Sequence, residues 1–519
     1  MYSLSTIYLV FSTVILLSLY TLARSYYRLA HISGPFLAKF TDLWRLLTVR
    51  RGDSHDAYLA LHKRYGDFVR IGPNCVSISR PDTIPHIYGI QKGFIKSDFY
   101  TVWQNIVNGK RVPSLVFTTD EKDHSSKKRP IAQAYSLSTL LEFEGLVDST
   151  TAVFLSRLDE LYACDDGTPC DLGKWLGWYA FDVIGELTFS KRLGFLEQAH
   201  DVGGISGSIW DNFKKHAVLG QMPPLEWWTS KNPMYQRLSP KPVTSPIIRF
   251  GQERMQERLD GKDSDTAASS EIADPDLRAK VLHGTLPSKP DFLSRFLKLH
   301  EEQPAIVDQR QLLAYLFMNI NAGSDTISAT LRALIYHLLQ TETMYKLKDE
   351  LDQALREGEI TVPLPTWTEC QRLPYLNACI KEALRLNPAL ALPLERVVPP
   401  SGLELDSTWF PPGTIVGINP WVLHRDTRIF GSDAEEWNPD RWLDRDPAKT
   451  KYMEQHLLAF GAGKRTCLGK NIAMLELSKV VPALVLRYDI ALKDRNRAWK
   501  ITSAFAVKQD GLDVVLARR

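Results

Sequence analysis

The feature that most limits how this chain can fold is a glycine-rich segment that leads into an apolar helix predicted over about residues 468–488. It reads Phe460-Gly461-Ala462-Gly463-Lys464-Arg465-Thr466-Cys467-Leu468-Gly469. The dipole and free amide protons of a helix N-terminus favour a cysteine thiolate placed there. Glycines let the backbone approach a flat ligand, whose acidic groups Arg465 can meet. The segment predicts a low-pKa thiolate beside such a ligand; the alternative is a structural cysteine in a glycine-rich turn.

These residues carry a resemblance to a known family. F-x-x-G-x-R-x-C-x-G is the heme-ligand signature of the cytochrome P-450 superfamily, and the chain matches its five fixed positions with Phe460, Gly463, Arg465, Cys467 and Gly469. The resemblance implies that the cofactor is heme b, iron protoporphyrin IX. It also implies that the Cys467 thiolate is the axial iron ligand and that Arg465 pairs with a heme propionate.

A second pattern joins Glu382 and Arg385 to a later arginine. Glu382 and Arg385 are three residues apart on a predicted helix and can pair, although a solvated surface pair would contribute little. The segment 437–442, Trp-Asn-Pro-Asp-Arg-Trp, follows where the family places the arginine that completes a triad. The resemblance implies that Arg441 bridges to both residues and that the triad maintains the fold around the heme. Trp437 stands where the family usually has phenylalanine.

A third pattern lies on the strongest predicted helix, Asp308 to Glu342, which is apolar on nearly every face and therefore expected inside the protein. An acid in such a helix, here Asp325, is costly unless it has a role. The alternative is a helix kink with satisfied polar groups. Residues 322–326 resemble the family's A-G-x-D-T stretch, which implies that the Thr326 hydroxyl orients oxygen and that Asp325 relays protons. The intact pair favours oxygen activation over isomerisation or dehydration.

Other positions follow from the resemblance alone. Arg396 matches a residue that pairs with a propionate. His124 and Lys128 stand where many members have W-x-x-x-R, and both differ from that pattern; Lys128 is the candidate for a propionate, with Arg129 as a competitor. Substrate contacts are expected from five mostly apolar ranges, Tyr100–Phe117, Trp210–Leu219, Ala314–Ala322, Ala389–Leu394 and Ser503–Val507.

The N-terminus predicts a membrane anchor. Residues 1–23 carry no charged side chain, and roughly 20 apolar residues suffice for a spanning helix. Arg24 and Arg28 follow the span, which favours a cytosolic location for the rest of the chain. A cleaved signal peptide is the alternative, but no basic region precedes the apolar run. We expect a transmembrane anchor over 1–23, a hinge over 24–35 and one catalytic domain over 36–519.

The remaining sequence predicts a mainly α fold with a minor β part, the architecture of the cytochrome P-450 family. A net charge of +3 gives no nucleic-acid signature. Six cysteines without a C-x-x-C pair favour reduced thiols. Residues 258–290, rich in polar and small side chains, predict a mobile surface connection.

Together these patterns imply a heme-thiolate monooxygenase in the endoplasmic reticulum membrane that oxygenates an apolar small molecule with O2. Electrons would come from an NADPH-cytochrome P-450 reductase, with cytochrome b5 as a further candidate donor, near Lys464, Lys470 and Lys128. Three stretches, 170–175, 180–185 and 421–426, resemble the fungal pisatin-demethylase-like group and suggest secondary metabolism or detoxification. Hydroxylation, epoxidation and demethylation remain open. The alternatives are a reductase-independent heme-thiolate isomerase or dehydratase and a non-catalytic heme sensor.

Overall fold

The computed structural model describes residues 4–90, 92–107, 110–163, 167–229, 231–238, 246–260, 291–497 and 499–519. Over these residues the chain is mainly helical with small sheets, so the predicted fold class is confirmed. The α-helices are α1 Leu4–Arg28, α2 Leu43–Arg51, α3 Ser54–Tyr65, α4 Ile84–Tyr88, α5 Glu121–Ile131, α6 Leu137–Leu141, α7 Glu144–Tyr162, α8 Leu172–Phe189, α9 Phe195–Gln198, α10 Ile205–Gly220, α11 Pro233–Leu238, α12 Pro246–Leu259, α13 Phe292–Glu302, α14 Gln309–Gln340, α15 Thr343–Arg356, α16 Trp367–Cys370, α17 Pro374–Leu386, α18 Pro420–Leu423, α19 Thr427–Phe430, α20 Pro447–Gln455 and α21 Lys470–Arg487.

The strands are short, and the largest described sheet has five of them in the order β1-β2-β10-β7-β3. In this sheet β10 runs parallel to β2, and β7 pairs antiparallel with both β10 and β3. The strands are β1 Phe68–Gly72, β2 Cys75–Ile78, β3 Ile95–Lys96, β4 Asn105–Val107, β5 Lys110–Val112, β6 Cys170–Asp171, β7 Arg396–Val397, β8 Leu403–Leu405, β9 Thr408–Phe410, β10 Ile415–Ile418, β11 Tyr488–Leu492, β12 Lys500–Ser503, β13 Val507–Asp510 and β14 Asp513–Arg518.

Helix α14 runs through the main core, close to the predicted range of Asp308 to Glu342. Asp308 caps it by accepting a hydrogen bond from the amide of Gln311. The helix packs against α8, α17 and α21, and its apolar side chains are buried along most of its length. This central position brings residues 322–326 into the same structural unit as α17 and α21.

The N-terminal helix α1 stands apart from this core. It exposes large apolar side chains along its length, and residues Tyr8–Arg28 are long and apolar enough to cross a membrane. The helix continues past the predicted end of the anchor, so the predicted hinge over 24–35 is helical as far as Arg28. The helical hydrogen bonds extend because no proline or glycine occurs before Gly34.

Arg70 holds the end of α1 and the segment after it against the sheet. Its buried guanidinium donates to the carbonyls of Tyr26 at 3.0 Å and Ser25 at 2.6 Å, and its amide donates to Ser33 at 2.8 Å. A Cβ on Gly34 would lie 2.0 Å from the Arg70 carbonyl oxygen. The joint is therefore held tightly, and glycine is required where it approaches β1.

Two other sequence predictions concern cysteines and the polar connection. The described cysteines, Cys75, Cys170, Cys370, Cys379 and Cys467, are all free, while Cys164 lies outside the described residues. Most of the predicted mobile connection, residues 261–290, also lies outside the described residues. Its first residues, 258–259, belong to helix α12 instead.

Candidate active site

The segment before α21 is a tight loop held by its own backbone. The Cys467 amide donates to the Phe460 carbonyl at 2.8 Å, and Gly461 and Gly463 both have left-handed φ angles, 68° and 65°. A Cβ on Gly463 would lie 1.8 Å from the Tyr88 carbonyl oxygen. Glycine is therefore required at 463 both by its backbone conformation and by the close approach of α4.

The Cys467 sulfur lies just before the start of α21. The amides of Gly469 and Lys470 are close enough to lower the pKa of its thiol, and a Cβ on Gly469 would lie 3.9 Å from the sulfur, in ordinary contact. The residue faces open space, but the surrounding protein atoms raise the pKa of its thiol. The two amides and the ammonium groups of Lys128 and Lys470 lower that pKa without offsetting the burial.

The low-pKa thiolate expected beside a ligand stays a prediction, because this shift refers to the protein atoms alone. Desolvation of the thiolate outweighs the helix terminus, because two amide dipoles and two partly solvated ammonium groups compensate only part of the lost hydration. A coordinated metal ion deprotonates a thiol outright. The site is thus better suited to a thiolate that a metal stabilises than to a free nucleophile.

Arg465 has an incomplete set of partners. Its Nε and Nη2 atoms lie 2.9 Å and 2.7 Å from a carboxylate oxygen of Glu121 on α5. Its Nη1 is buried and has no hydrogen-bond partner among the described residues. A buried guanidinium nitrogen without an acceptor is costly, and an acidic ligand group would supply the missing acceptor.

Helix α5 brings His124 and Lys128 next to Arg465, whereas Arg129 is exposed. Burial and the charges of Arg465, Lys128 and Lys96 lower the pKa of His124 to about 3, so its ring is neutral. Lys128 donates to the Lys464 carbonyl at 3.1 Å. Lys128 is thus bonded to the cysteine loop, while Lys464 and Lys470 are exposed.

Arg396 approaches the same place from β7. Its guanidinium carbon lies 5.0 Å from the centre of the Tyr88 ring, and Nη1 donates to the Glu395 carbonyl at 2.8 Å. Lys96, on the neighbouring strand β3, is buried beside it. The sequence did not single out Lys96, and the only signal that could have found it is the long-range pairing of β3 with β7.

The two arginines of the predicted triad are joined through the Glu382 carboxylate. Arg385 donates through Nε and Nη2 to the two carboxylate oxygens of Glu382 at 2.8 Å and 2.7 Å, and Arg441 donates to Glu382 at 3.1 Å. Glu382 also accepts from the Trp442 indole and from the Asn438 amide, both at 2.9 Å. Burial alone would raise the pKa of Glu382. The pKa is lowered instead, mainly by the hydrogen bond and the charge of Arg385.

His424 ties this network to the cysteine segment, a role that the sequence reasoning missed. Its Nδ1 lies 2.9 Å from the Arg385 carbonyl, and its Nε2 accepts from the amide of Leu458 at 2.8 Å. The carbonyl of His424 accepts from Arg385 Nη1 at 2.6 Å. Burial lowers the pKa of His424 to about 3, so the neutral ring links the triad to the residues just before Phe460.

Asp325 and Thr326 lie on α14. The Thr326 hydroxyl donates to the Ala322 carbonyl at 2.7 Å. Burial raises the pKa of Asp325 to about 6, although Arg332 and Lys508 lower it, and Oδ2 has no hydrogen-bond partner in the described part of the chain. This carboxyl is therefore able to bind and release a proton near neutral pH.

Three of the five ranges predicted to contact substrate meet in an aromatic cluster centred on Trp103. The ring centre of Trp103 lies 5.1 Å from Phe117, 5.3 Å from Phe505 and 5.6 Å from Phe213. Residues 389–394 join it through Leu392. The range Ala314–Ala322 divides, because Leu316 and Ile320 belong to the main core whereas Ala322 is exposed. The packing of Leu316 and Ile320 in the main core corrects the prediction that this whole range lines the substrate site.

Comparison with known proteins agrees with this geometry. Residues 36–516 match the family described as Cytochrome P450. The chain is 41% identical over 509 residues to a cytochrome P-450 monooxygenase of Aspergillus flavus, covering 97% of this chain and 96% of the relative. It is 44% identical over 472 residues to one of Aspergillus terreus, covering 91% and 92%. It is 41% identical over 493 residues to the monooxygenase cicH of Emericella nidulans, covering 95% and 94%.

The residues present fit the heme that this family carries. Cys467 is exposed, and Arg465 has a buried nitrogen without a partner among the described residues that an acidic group of the cofactor would bind. The expected cofactor and the expected class of enzyme, a monooxygenase that needs an electron-transfer partner, are confirmed. By its sequence match over nearly the whole chain, this protein belongs to the cytochrome P-450 family.

Proposed function

We propose that this cytochrome P-450 monooxygenase oxygenates an apolar small molecule in fungal secondary metabolism or detoxification. The observation that carries the proposal is the tight Cys467 loop before α21, which leaves the cysteine exposed within the same fold that holds Asp325 on α14. The fungal relatives support the metabolic setting. Membership of the pisatin-demethylase-like group rests on residues 170–175, 180–185 and 421–426 alone.

The proposed roles divide between holding the cofactor and handling protons. Cys467 would bind the heme iron, and Arg465, Arg396 and Lys128 would bind its carboxylates. Heme bound through a thiolate supplies dioxygen activation and favours O–O cleavage. Phe460, Gly463 and Gly469 shape the loop that places the sulfur.

Asp325 and Thr326 are the proposed proton-handling pair. With a pKa raised to about 6, the Asp325 carboxyl holds a proton part of the time near neutral pH, which suits a general acid or base. The Thr326 hydroxyl is bonded to the Ala322 carbonyl and still has lone pairs that accept a hydrogen bond. The aromatic cluster around Trp103 would keep water from an apolar substrate.

The proposed setting is the endoplasmic reticulum membrane, with α1 as a single-pass anchor and the domain over 36–519 facing the cytosol. The length and exposed apolar surface of α1 support an anchor. The proposed electron donor is a membrane-bound NADPH-dependent reductase, with cytochrome b5 as a second candidate. The exposed ammonium groups of Lys464 and Lys470 next to the Cys467 loop support docking there.

The experiment that tests thiolate ligation is the absorbance spectrum of the dithionite-reduced protein with and without carbon monoxide. We expect a strongly red-shifted Soret band that is lost in Cys467→Ser. Cys379→Ser, which removes a buried free cysteine on α17, is the matched control and keeps the band. A Soret band at the position of histidine ligation in the unaltered protein would refute the proposed ligand.

The proton-handling role is tested by Thr326→Ala. We expect heme binding to persist while product formed per NADPH falls several-fold and hydrogen peroxide rises, because protons reach oxygen less selectively. Both products are measured in one reaction with reductase. An unchanged yield of product per NADPH would contradict the role of Thr326, and turnover without NADPH would favour the isomerase or dehydratase alternative.

A further inference from the structure

Strands β3 and β7 place two positive charges face to face. In the antiparallel register Lys96 pairs with Arg396, so both side chains point to the same face of the sheet. Their exposed fractions are only 9% and 6%. Like charges directly opposite each other destabilise a sheet, and burial increases that cost.

No acid neutralises this pair in the described residues. The Lys96 ammonium donates to the Val116 carbonyl at 2.6 Å and lies 4.2 Å from the centre of the Tyr100 ring. Arg396 bonds to backbone carbonyls and lies over the Tyr88 ring. Burial, with the charges of Arg396 and Arg465, lowers the pKa of Lys96 well below its ordinary value.

The two nearest carboxylates are already engaged. The Glu395 side chain binds Arg45 and Ser97. The Glu121 side chain binds Arg465, which still has a buried nitrogen without a partner. The neutral ring of His124 adds no negative charge. Positive charge at this place therefore exceeds negative charge among the described residues, and an anionic group with more than one charge would balance it.

We propose that Lys96 is a binding residue for the heme carboxylates and forms with Arg396 a clamp carried by two paired strands. The two carboxylates of protoporphyrin IX supply the required negative charge. Neither the cysteine motif nor the A-G-x-D-T stretch involves β3, so this assignment depends on the strand pairing alone. It explains how an unpaired lysine can remain buried opposite an arginine.

The competing interpretation is that Lys96 is structural and serves only to bind the Val116 carbonyl. The two differ in what they require of the ligand, because only the clamp needs ionised heme carboxylates. Esterified heme, the dimethyl ester, removes those charges and leaves the iron and the ring unchanged. The loss caused by replacing Lys96 should therefore depend on which heme is bound.

The test measures release of heme from the holoenzyme to excess apomyoglobin, followed by the Soret absorbance. Lys96→Met removes the charge at similar length, and Lys298→Met on the exposed face of α13 is the control. For native heme we expect release from Lys96→Met on the order of tenfold faster than from the unaltered protein, the effect of losing one charge-assisted hydrogen bond. Lys298→Met should match the unaltered protein.

For heme dimethyl ester we expect Lys96→Met and the unaltered protein to release at the same rate. Unchanged release of native heme from Lys96→Met, or equal acceleration with both hemes, would overturn the proposal. Lys96→Gln keeps a donor for the Val116 carbonyl, and we expect the same pattern from it if Lys96→Met folds poorly. Because heme release requires no substrate, the result does not depend on which molecule the enzyme oxygenates.

Discussion

Two carboxylates on helices of the core, the buried Glu382 and the half-buried Asp325, are in different states. Glu382 accepts from two arginines, an indole and an amide, and these bonds lower its pKa in spite of burial. Asp325 has an oxygen without a partner in the described residues, and burial raises its pKa to about 6. A carboxylate with all its acceptor sites filled holds structure together, whereas one with a free site remains able to exchange protons.

The substitution Glu382→Gln is the strongest test of this difference between the two carboxylates. It leaves the fully buried guanidinium of Arg385 without its counter-charge, and breaking a buried pair in this way costs about 3–5 kcal/mol. We expect little folded, heme-containing protein, measured by chemical unfolding and by heme content. Glu454→Gln removes an exposed ion pair with Lys381 on the same helix α17 and should cost under about 1 kcal/mol. Similar losses in both variants would contradict a special role for the triad.

The second change, Asp325→Asn, should have opposite effects on stability and turnover. Because the folded pKa of Asp325 is raised from 3.8 to about 6, the folded state binds more protons than the unfolded state between those values. The free energy of unfolding therefore falls as pH rises through that window. We expect the variant to be more stable than the unaltered protein by on the order of 1–3 kcal/mol at pH 7.

That gain in stability should vanish near pH 4, where the carboxyl is protonated in the folded protein. Unfolding at pH 4 and pH 7 measures the difference between the two proteins. Turnover at pH 7 should fall by on the order of a hundredfold, as expected for losing a general acid or base. An asparagine variant that is less stable at both pH values would show that Asp325 is as fully satisfied as Glu382.

The smallest expected effect tests the edge of the triad region. Trp437 donates to the Thr343 hydroxyl at 3.0 Å and stacks on His337 with ring centres 4.9 Å apart. Trp437→Phe keeps an aromatic ring and loses one hydrogen bond, so we expect a cost of about 0.5–1.5 kcal/mol in thermal unfolding with the heme spectrum unchanged. A loss as large as that of Glu382→Gln would place Trp437 inside the network instead of at its edge.

Much of the fold and the site follows from local patterns in the sequence. The range of α14 was predicted to within two residues because a capping aspartate and an apolar pattern define it. The residues of the cysteine motif lie close together in sequence, so a single loop contains them. Arg441 was placed beside Glu382 only through the resemblance, because their separation of 59 residues gives no local signal.

The missed features depend on contacts between distant segments. Lys96 and Arg396 are neighbours only because β3 and β7 pair, and His424 is important only because α17 and the residues before Phe460 meet on it. The direction of the Cys467 pKa shift also depends on packing. The helix start can be recognised in the sequence, but the desolvation of the thiolate by surrounding protein atoms cannot. Sequence patterns identify chemical groups more readily than the surroundings that tune them.

With α1 as the proposed membrane anchor, its attachment by Arg70 would limit how the enzyme moves above a lipid bilayer. Two carbonyls in the last turn of the helix are bound to a guanidinium in the five-stranded sheet, so the helix meets the catalytic domain as a stiff stalk. A flexible tether would let the domain tumble and present Lys464 and Lys470 to an electron donor only at intervals. A stiff stalk would restrict that rotation and would set the height of the proposed docking face. Electron transfer would then depend on stalk geometry as well as on charge.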